Sequence, residues 1–244
     1  MKAKNLKIES FNFAPGRELL KKYRVQKLLG AGWEGEVYLL KELATGIERA
    51  AKFFFPQRNI KNRTLVYYAK KLHKLRHCPI IIQYYTQETI PFRKATVPFL
   101  VSEFVEGELL SEFVDRQKRK RLTPFRALHL LYALASGMEH VHASGEYHGD
   151  LHWDNIIVRP YGLGFQLKLI DMFNWKTFPK PQNITDDVCD MIRLFYDVLG
   201  GGKNYPKLTR EFKIIICGLK KNLILKKYRT AGQLKGYLET MSWD

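Results

Sequence analysis

The spacing of apolar residues changes part-way along this chain, and this change constrains the fold more than any other feature. Before residue 105 the apolar segments are short, rich in β-branched and aromatic residues, and separated by glycine-containing turns, which is typical of strands. From Thr123 onward apolar residues recur every three or four positions, which is typical of buried helices. A strand-rich part with one helix, followed by a helical part, predicts an α+β fold.

The expected elements follow from this spacing and from the turn residues between the segments. The predicted strands are Tyr23–Leu29, Glu36–Leu40, Glu48–Phe55, Ile80–Thr86 and Pro98–Phe104, with a later hairpin of Asn155–Val158 and Gln166–Ile170. The predicted helices are 62–76, a long helix from Thr123, Asp187–Leu199, 208–221 and 230–241. The strand-rich and helical parts are expected to meet at a hinge near Glu106 and Gly107.

The length and composition fit one soluble globular domain with two lobes. The chain has 244 residues, 45% hydrophobic and 27% charged, which suffices for one packed domain but not for two independent ones. We expect an N-terminal extension over 1–22, an N-lobe over 23–106 and a C-lobe over 107–244. The sequence has no apolar run of membrane-spanning length, no signal-peptide core and only three cysteines, without paired spacing. The expected location is therefore the reducing cytoplasm.

The formal net charge of +17 is the one unusual feature of the composition. It concentrates in two basic stretches, residues 58–76 and residues 116–121, and no Asp or Glu occurs between Glu48 and Glu88. Such a surface attracts phosphates, nucleic acid or acidic proteins. We expect either a solvated basic face or a site for an acidic or polyanionic partner.

Two features of the strand-rich part suit phosphate binding. The turn with Gly30, Gly32 and Gly35 lies between two strands, where glycine lets backbone N–H groups approach phosphate oxygens. A tight hairpin explains the same glycines. Lys52 lies in an apolar strand, where its charge needs an anionic partner such as ATP phosphate, or an edge position from which it reaches water.

The strongest catalytic signal is the segment His-Gly-Asp-Leu-His-Trp-Asp-Asn, which begins at residue 148 between a helix and a hairpin. Asp150 and Asn155 are five residues apart on this loop, and Asp171 ends the following apolar strand. A carboxylate that accepts a hydroxyl proton, with an amide and a second carboxylate for Mg²⁺, suits phosphoryl transfer.

In this order the motifs resemble the eukaryotic-like, bacterial-type serine/threonine protein kinase family, over roughly residues 21–240. The resemblance implies a bilobal kinase-like fold with a reduced C-lobe, and transfer of phosphate from ATP, with Mg²⁺, to a protein substrate. It also implies roles for individual residues. The phosphates would be covered by Gly30, Gly32 and Gly35 and held at the α and β positions by Lys52. The adenine would lie between Val37 and Ala50, with Ile157 also in the nucleotide site. Its edge would meet the backbones of Glu103 and Val105, beside Ser102. Asp150 would be the catalytic base, Asn155 and Asp171 the Mg²⁺ ligands, and Asp187 the cap of the catalytic loop.

The chain departs from this family pattern at four positions. The N-lobe helix carries Tyr68 where the family has the glutamate that pairs with the lysine, and Phe173 replaces the glycine after the metal-binding aspartate. Gly149 replaces the arginine that binds a phosphorylated activation loop, and His152 replaces a lysine. We therefore expect a kinase that is not switched by loop phosphorylation.

These departures leave two alternatives open. The His-Gly-Asp-Leu-His string is similar to small-molecule kinases of the aminoglycoside-phosphotransferase type. Only fifteen residues separate Asp171 from Asp187, which is short for a peptide-binding platform. The missing glutamate is instead compatible with a pseudokinase that acts as a binding module for an acidic partner or nucleic acid.

Overall fold

A computed structural model describes residues 7–172 and 179–242 of the chain. Its contacts divide the chain into two units. The first unit comprises residues 1–77 and 82–105 and contains mostly strands, and the second comprises residues 78–81 and 106–244 and contains mostly helices. The predicted α+β class is confirmed, because the change in apolar spacing coincides with the change from sheet to helix.

The first unit is a six-stranded antiparallel sheet with one α-helix. Its strands are β1 (Glu18–Leu19), β2 (Tyr23–Ala31), β3 (Gly35–Glu42), β4 (Glu48–Phe54), β5 (Tyr84–Phe92) and β6 (Ala95–Glu103), in the order β1-β2-β3-β4-β6-β5. Helix α1 (Arg63–Lys74) follows β4, and its buried positions recur at helical spacing, so one face packs and the opposite face meets solvent.

A segment before the first strand closes one face of this sheet. Ile8, Phe11 and Phe13 are buried, and the Phe11 ring lies 5.3–5.8 Å from four other phenylalanine rings. The buried carboxylate of Glu36 accepts hydrogen bonds from the backbone N–H of Phe11 at 3.1 Å and from the hydroxyl of Tyr38 at 2.6 Å. Residues 8–13 are therefore part of the core of the first unit.

The strand predicted over Ile80–Thr86 lies further along the chain. Strand β5 begins only at Tyr84, while Ile80 and Ile81 belong to the second unit. There Ile81 forms an isolated parallel bridge with Leu169, and Ile80 packs so closely on Gly137 that a Cβ at that glycine would lie 2.3 Å from it. The predicted start was wrong because Ile80 packs against a helix, and Ile81 pairs with a strand, of the second unit.

The described residues of the second unit form seven α-helices and a small sheet. The helices are α2 (Leu110–Asp115), α3 (Pro124–Ala143), α4 (Lys180–Val198), α5 (Gly201–Asn204), α6 (Arg210–Ile216), α7 (Lys221–Lys227) and α8 (Ala231–Thr240). The antiparallel sheet contains β7 (Glu108–Leu109), β8 (Ile156–Tyr161) and β9 (Gly164–Leu169). The long helix α3 begins where predicted, because Thr123 caps it by accepting a hydrogen bond from Arg126 N at 3.3 Å.

Two helices differ from the predictions. Helix α4 begins at Lys180, seven residues before the predicted start at Asp187. The apolar spacing did not indicate these first turns because they are polar. The single helix predicted over 208–221 is broken after Ile216, where Cys217, Gly218 and Leu219 adopt positive φ values of 53°, 58° and 58°. Across residues 7–172 and 179–242, no helix has the length and hydrophobicity needed to cross a membrane.

Candidate active site

The three glycines of the β2–β3 turn have different structural roles. The turn is closed by a hydrogen bond from Gly32 N to Gly35 O at 2.9 Å. A Cβ added at Gly30 or Gly32 would meet no atom within 4 Å, so both positions border open space. A Cβ at Gly35 would lie 1.9 Å from the carbonyl oxygen of Phe53. Gly30 and Gly32 therefore leave room for a phosphate group, whereas Gly35 is required by the pairing of β3 with β4.

The predicted adenine-binding residues of the first unit share one face of the sheet. In the antiparallel register Val37 is opposite Lys52, and Ala50 is opposite Ser102. Directly opposite residues lie on the same face, and so do residues two apart on one strand. Val37, Ala50, Lys52 and Ser102 are thus presented together, on the face opposite to the one that residues 8–13 cover.

Lys52 has an anionic neighbour that sequence reasoning did not identify. Its Nζ lies 2.8 Å from Oε2 of Glu34, which comes from the glycine-rich turn. Its Nζ also lies 5.0 Å from the centroid of the Tyr68 ring of α1, the residue that replaces the family glutamate. The available sequence signal was a carboxylate two residues after the second glycine of the turn.

The predicted hinge residue Glu103 is held by Gln83. The Glu103 backbone N–H donates to Gln83 O at 2.9 Å, and its side-chain Oε1 accepts from Gln83 N at 2.9 Å. The Glu103 backbone oxygen accepts from the Ser102 hydroxyl at 3.4 Å. The assignment of Glu103 and Val105 to nucleotide binding stays a prediction.

In the second unit, the loop between α3 and β8 is anchored by a buried carboxylate. The backbone N–H groups of His148 and Gly149 donate to the two oxygens of Asp187 at 2.7 and 2.8 Å. The buried ring of His148 accepts from Asp150 N at Nδ1, and its Nε2 donates to Ile170 O at 3.0 Å. The predicted capping role of Asp187 is confirmed, and these bonds fix the backbone before and after the loop.

Asp150 and Asn155 lie next to each other on this loop. The Asn155 amide donates to the backbone oxygen of Asp150 at 2.8 Å and lies 3.4 Å from its carboxylate. Asn155 is buried, whereas the Asp150 side chain is 61% exposed. The backbone oxygen of Asn155 accepts a hydrogen bond from Ile170 N at 3.0 Å, which connects the loop to the residue before Asp171. Asp171 itself has a φ of 55°, a left-handed conformation that aspartate tolerates better than most residues.

His152 lies beside Asp150 and forms an ion pair with it when the ring is protonated. Its Nε2 lies 3.6 Å from Asp150 Oδ2 and 2.9 Å from the Asn155 amide nitrogen. The imidazole lowers the pKa of the Asp150 carboxyl, and the carboxylate raises the pKa of His152 above its ordinary value. The His152 Nδ1 accepts a hydrogen bond from the backbone N–H of Asp154 at 3.2 Å, so the proton of a neutral ring lies on Nε2, the nitrogen nearer Asp150.

A further histidine, His142, forms a hydrogen bond with Asp187 that the sequence analysis did not predict. His142 Nδ1 accepts a hydrogen bond from Ala231 N at 3.2 Å, so Nε2 carries the proton and donates to Asp187 at 3.2 Å. This contact connects the first residue of α8 to the anchor of the catalytic loop. Met172, the residue after Asp171, is buried, while Phe173 lies outside the described residues.

Comparison with known proteins identifies the family. A family model described as a protein kinase domain matches residues 23–191. The chain belongs to the protein kinase domain family. The predicted family is thus confirmed, and the matched residues include the loop with Asp150 and Asn155.

Three curated relatives are serine/threonine- or calcium-dependent protein kinases. The kinase domain is 30% identical over 62% of the chain to serine/threonine-protein kinase pkn2 of Myxococcus xanthus. It is 28% identical over 60% of the chain to CBL-interacting serine/threonine-protein kinase 13 of Arabidopsis thaliana, and 28% identical over 73% to calcium-dependent protein kinase 4 of Plasmodium falciparum. The matched stretches cover 18%, 28% and 33% of these relatives.

Proposed function

We propose that this kinase domain transfers phosphate from ATP, with Mg²⁺, to serine or threonine of a protein. The observation that carries the proposal is the anchored loop of the second unit, in which Asp187 fixes the backbone around His148 while Asp150 remains exposed. A rigid loop with an accessible, ionised carboxylate is what a phosphotransferase needs to orient an acceptor hydroxyl. The names of the relatives support the same activity.

Asp150 acts in this proposal as the catalytic base. It accepts the proton of the acceptor hydroxyl, whose oxygen bonds to the γ-phosphorus as the bond from that phosphorus to the β-phosphate oxygen breaks. The neighbouring imidazole keeps the pKa of Asp150 low, so the carboxylate is ionised and able to accept. Asn155 holds the backbone of Asp150 through the 2.8 Å hydrogen bond, which positions the base.

The residues present fit a magnesium nucleotide. Asn155 and Asp171 offer an amide oxygen and a carboxylate, and Mg²⁺ commonly binds one or two such protein groups while phosphates and water complete its shell. When bound, Mg²⁺ supplies positive charge to the phosphate oxygens.

The nucleotide itself is proposed to contact the first unit through the residues that the family resemblance implies. The open space beside Gly30 and Gly32 accommodates phosphate oxygens close to the backbone. Val37 and Ala50 present small apolar side chains for the adenine on the same face as Lys52. Ile157 of the second unit is the remaining proposed nucleotide contact, while the proposed cytoplasmic location stays a prediction.

A transfer assay tests this function. The purified chain is incubated with radiolabelled ATP and Mg²⁺, with a basic protein or an aminoglycoside as acceptor. We expect label on serine or threonine of the protein, and Asp150→Asn should lower transfer about a thousandfold while ATP binding persists. Asp115→Asn, an exposed carboxylate on α2, is the matched control and should leave transfer unchanged.

The same assay decides between the alternatives. Exclusive labelling of the aminoglycoside would instead support a small-molecule kinase, for which the histidine at position 152 is the favouring observation. Absence of transfer with every acceptor, together with absence of Mg²⁺-dependent ATP binding, would refute the enzyme and favour a pseudokinase.

We also propose that a polyanion, most simply single-stranded nucleic acid, binds the exposed face of α1. Arg63, Tyr67 and Lys70 are exposed at helical spacing on this face, and an aromatic ring between cations suits base stacking beside phosphates. Lys71, which lies in the same basic stretch, is buried and does not contribute. In the stretch 116–121, Arg116 and Lys120 already pair with Glu108 and Asp115.

Salt dependence tests the polyanion proposal. Fluorescence anisotropy measures the affinity for a single-stranded DNA 20-mer. The logarithm of this affinity should fall linearly with the logarithm of the salt concentration. Arg63→Ala with Lys70→Ala should reduce the slope by about one per cation removed. Lys118→Ala with Arg119→Ala, in the second basic stretch, is the control and should reduce it less. No binding at low salt would leave α1 as a solvated face.

A further inference from the structure

The ion pair between Lys52 and Glu34 is largely shielded from solvent, unlike an ion pair on the protein surface. Nζ and Oε2 are 2.8 Å apart, and the two side chains are only 12% and 16% exposed. Two long charged side chains that are withdrawn from water to this degree lose much of their hydration. Such a loss is tolerated only when the opposite charge is close, so the pair requires both partners.

The glycine-rich turn holds Glu34 where it can reach the lysine. The backbone oxygen of Glu34 accepts a hydrogen bond from Phe55 N at 2.9 Å, at the end of the strand that carries Lys52. The turn itself is closed by the bond from Gly32 N to Gly35 O. The carboxylate therefore starts from a backbone position that is fixed relative to β4, and reaching Lys52 requires little ordering beyond its own side chain.

The usual source of a partner carboxylate is missing from the sequence around α1. No Asp or Glu occurs between residues 49 and 87, and α1 presents Tyr68 toward the lysine. The Tyr68 ring face, with its centroid 5.0 Å from Nζ, and the Phe54 ring at 5.6 Å attract the ammonium by cation–π interaction. These neutral side chains can restrain the cation but do not balance its charge, whereas the Glu34 carboxylate does.

We propose that Glu34 is a positioning residue, which holds Lys52 in the orientation for nucleotide phosphates in place of a carboxylate on the N-lobe helix. The inference rests on the proposed function for its catalytic consequence. It couples the lysine to the glycine-rich turn, so the turn and the cation move as one body. The carboxylate that orients the lysine then comes from the turn, and α1 contributes only the Tyr68 ring.

Kinetics supply the first test. Glu34→Gln, which keeps the shape and removes the charge, should lower kcat about 10- to 100-fold, because a small misplacement of a catalytic group has an effect of this size. Glu34→Asp, one methylene shorter, should give an intermediate kcat. Glu18→Gln removes an exposed carboxylate of the same unit that pairs with Arg24, and it should leave kcat unchanged. An unchanged or raised kcat in Glu34→Gln would overturn the inference.

A second test needs no catalysis. Acylation of Lys52 by a neutral amine-reactive reagent, followed by mass spectrometry in the absence of nucleotide, reports how firmly the ammonium is held. We expect acylation roughly fivefold faster or more in Glu34→Gln than in wild type or Glu18→Gln, with matching circular dichroism spectra as evidence of an intact fold. Equal acylation rates would overturn the proposed pair. A wild-type chain that shows the protection but no phosphate transfer would refute the proposed function instead, which separates the two failures.

Discussion

Gly149 donates its backbone N–H to Asp187 at 2.8 Å while its φ is 90°, a conformation that side-chain-bearing residues rarely adopt. The glycine that replaces the family arginine is therefore also the residue that lets the loop backbone turn toward the buried carboxylate. Through Asp187 and His142, this loop is linked to the start of α8 near the end of the chain. Loss of the carboxylate should consequently affect both stability and activity.

Asp187→Ala should lower the free energy of unfolding by about 3 kcal/mol, because two backbone N–H groups and His142 would lose their buried acceptor. Urea denaturation measures this change. The neighbouring Asp186 is partly exposed and pairs with Lys221, so Asp186→Ala should change the free energy by less than about 1 kcal/mol. Similar losses in the two variants would contradict the anchoring role.

His152 should titrate above 6.5, its ordinary pKa, because the Asp150 carboxylate favours the protonated ring. Since the folded-state pKa is raised, the stabilisation from this pair is fully present below the unfolded pKa. It is lost as pH rises through the folded pKa. NMR of the imidazole protons measures the titration midpoint directly.

Two carboxylates near His152 provide the control for this titration. Asp150→Asn should lower the midpoint more than Asp154→Asn, because Asp150 makes the larger contribution to the shift and Asp154 acts by charge alone. A midpoint below 6.5 in wild type, or the reverse order of the two variants, would show that the pair does not form.

Gly35→Ala should destabilise the first unit by roughly 3 kcal/mol, because its Cβ would overlap the carbonyl oxygen of Phe53 and separate β3 from β4. Gly32→Ala, in the same turn, places its Cβ in open space and should leave the melting temperature nearly unchanged. Thermal unfolding by circular dichroism compares the two. Equal melting temperatures would mean that the strands are further apart than the structure indicates.

Phe11→Ala should lower the free energy of unfolding by about 3 kcal/mol, since it empties a site surrounded by four phenylalanine rings. Glu9→Ala, at an exposed position of the same segment, should have an effect below about 0.5 kcal/mol. Chemical denaturation measures both. A small effect at Phe11 would show that residues 8–13 do not contribute to the core.

Sequence reasoning succeeded where interacting residues are close in the chain. Asp150 and Asn155 lie on one loop, so their order and spacing already predicted the pair. The pairing of Glu34 with Lys52 could not be predicted in this way, because Lys52 is on a neighbouring strand and only the strand register brings the two residues together. The break after Ile216 was missed because the apolar residues continue on both sides of it.

The segment 8–13 was also interpreted too simply, as part of an extension before the first lobe. Two phenylalanines within a polar stretch carry no periodic signal, and their role depends on the apolar sheet face that receives them. Similarly, Asp187 was predicted from the family pattern, but nothing in the spacing of His142 indicated that it would support that carboxylate.

The aromatic packing of residues 8–13 has a consequence for where this unit can be cut. The family match begins at residue 23, yet Phe11 and Phe13 lie on Tyr38 and Phe53. A fragment that starts at residue 23 would lack Phe11 and Phe13. The rings of Tyr38 and Phe53 would then face solvent as a contiguous apolar patch. Patches of this kind drive self-association, so the shortest monodisperse form of this kinase domain should begin before Ile8.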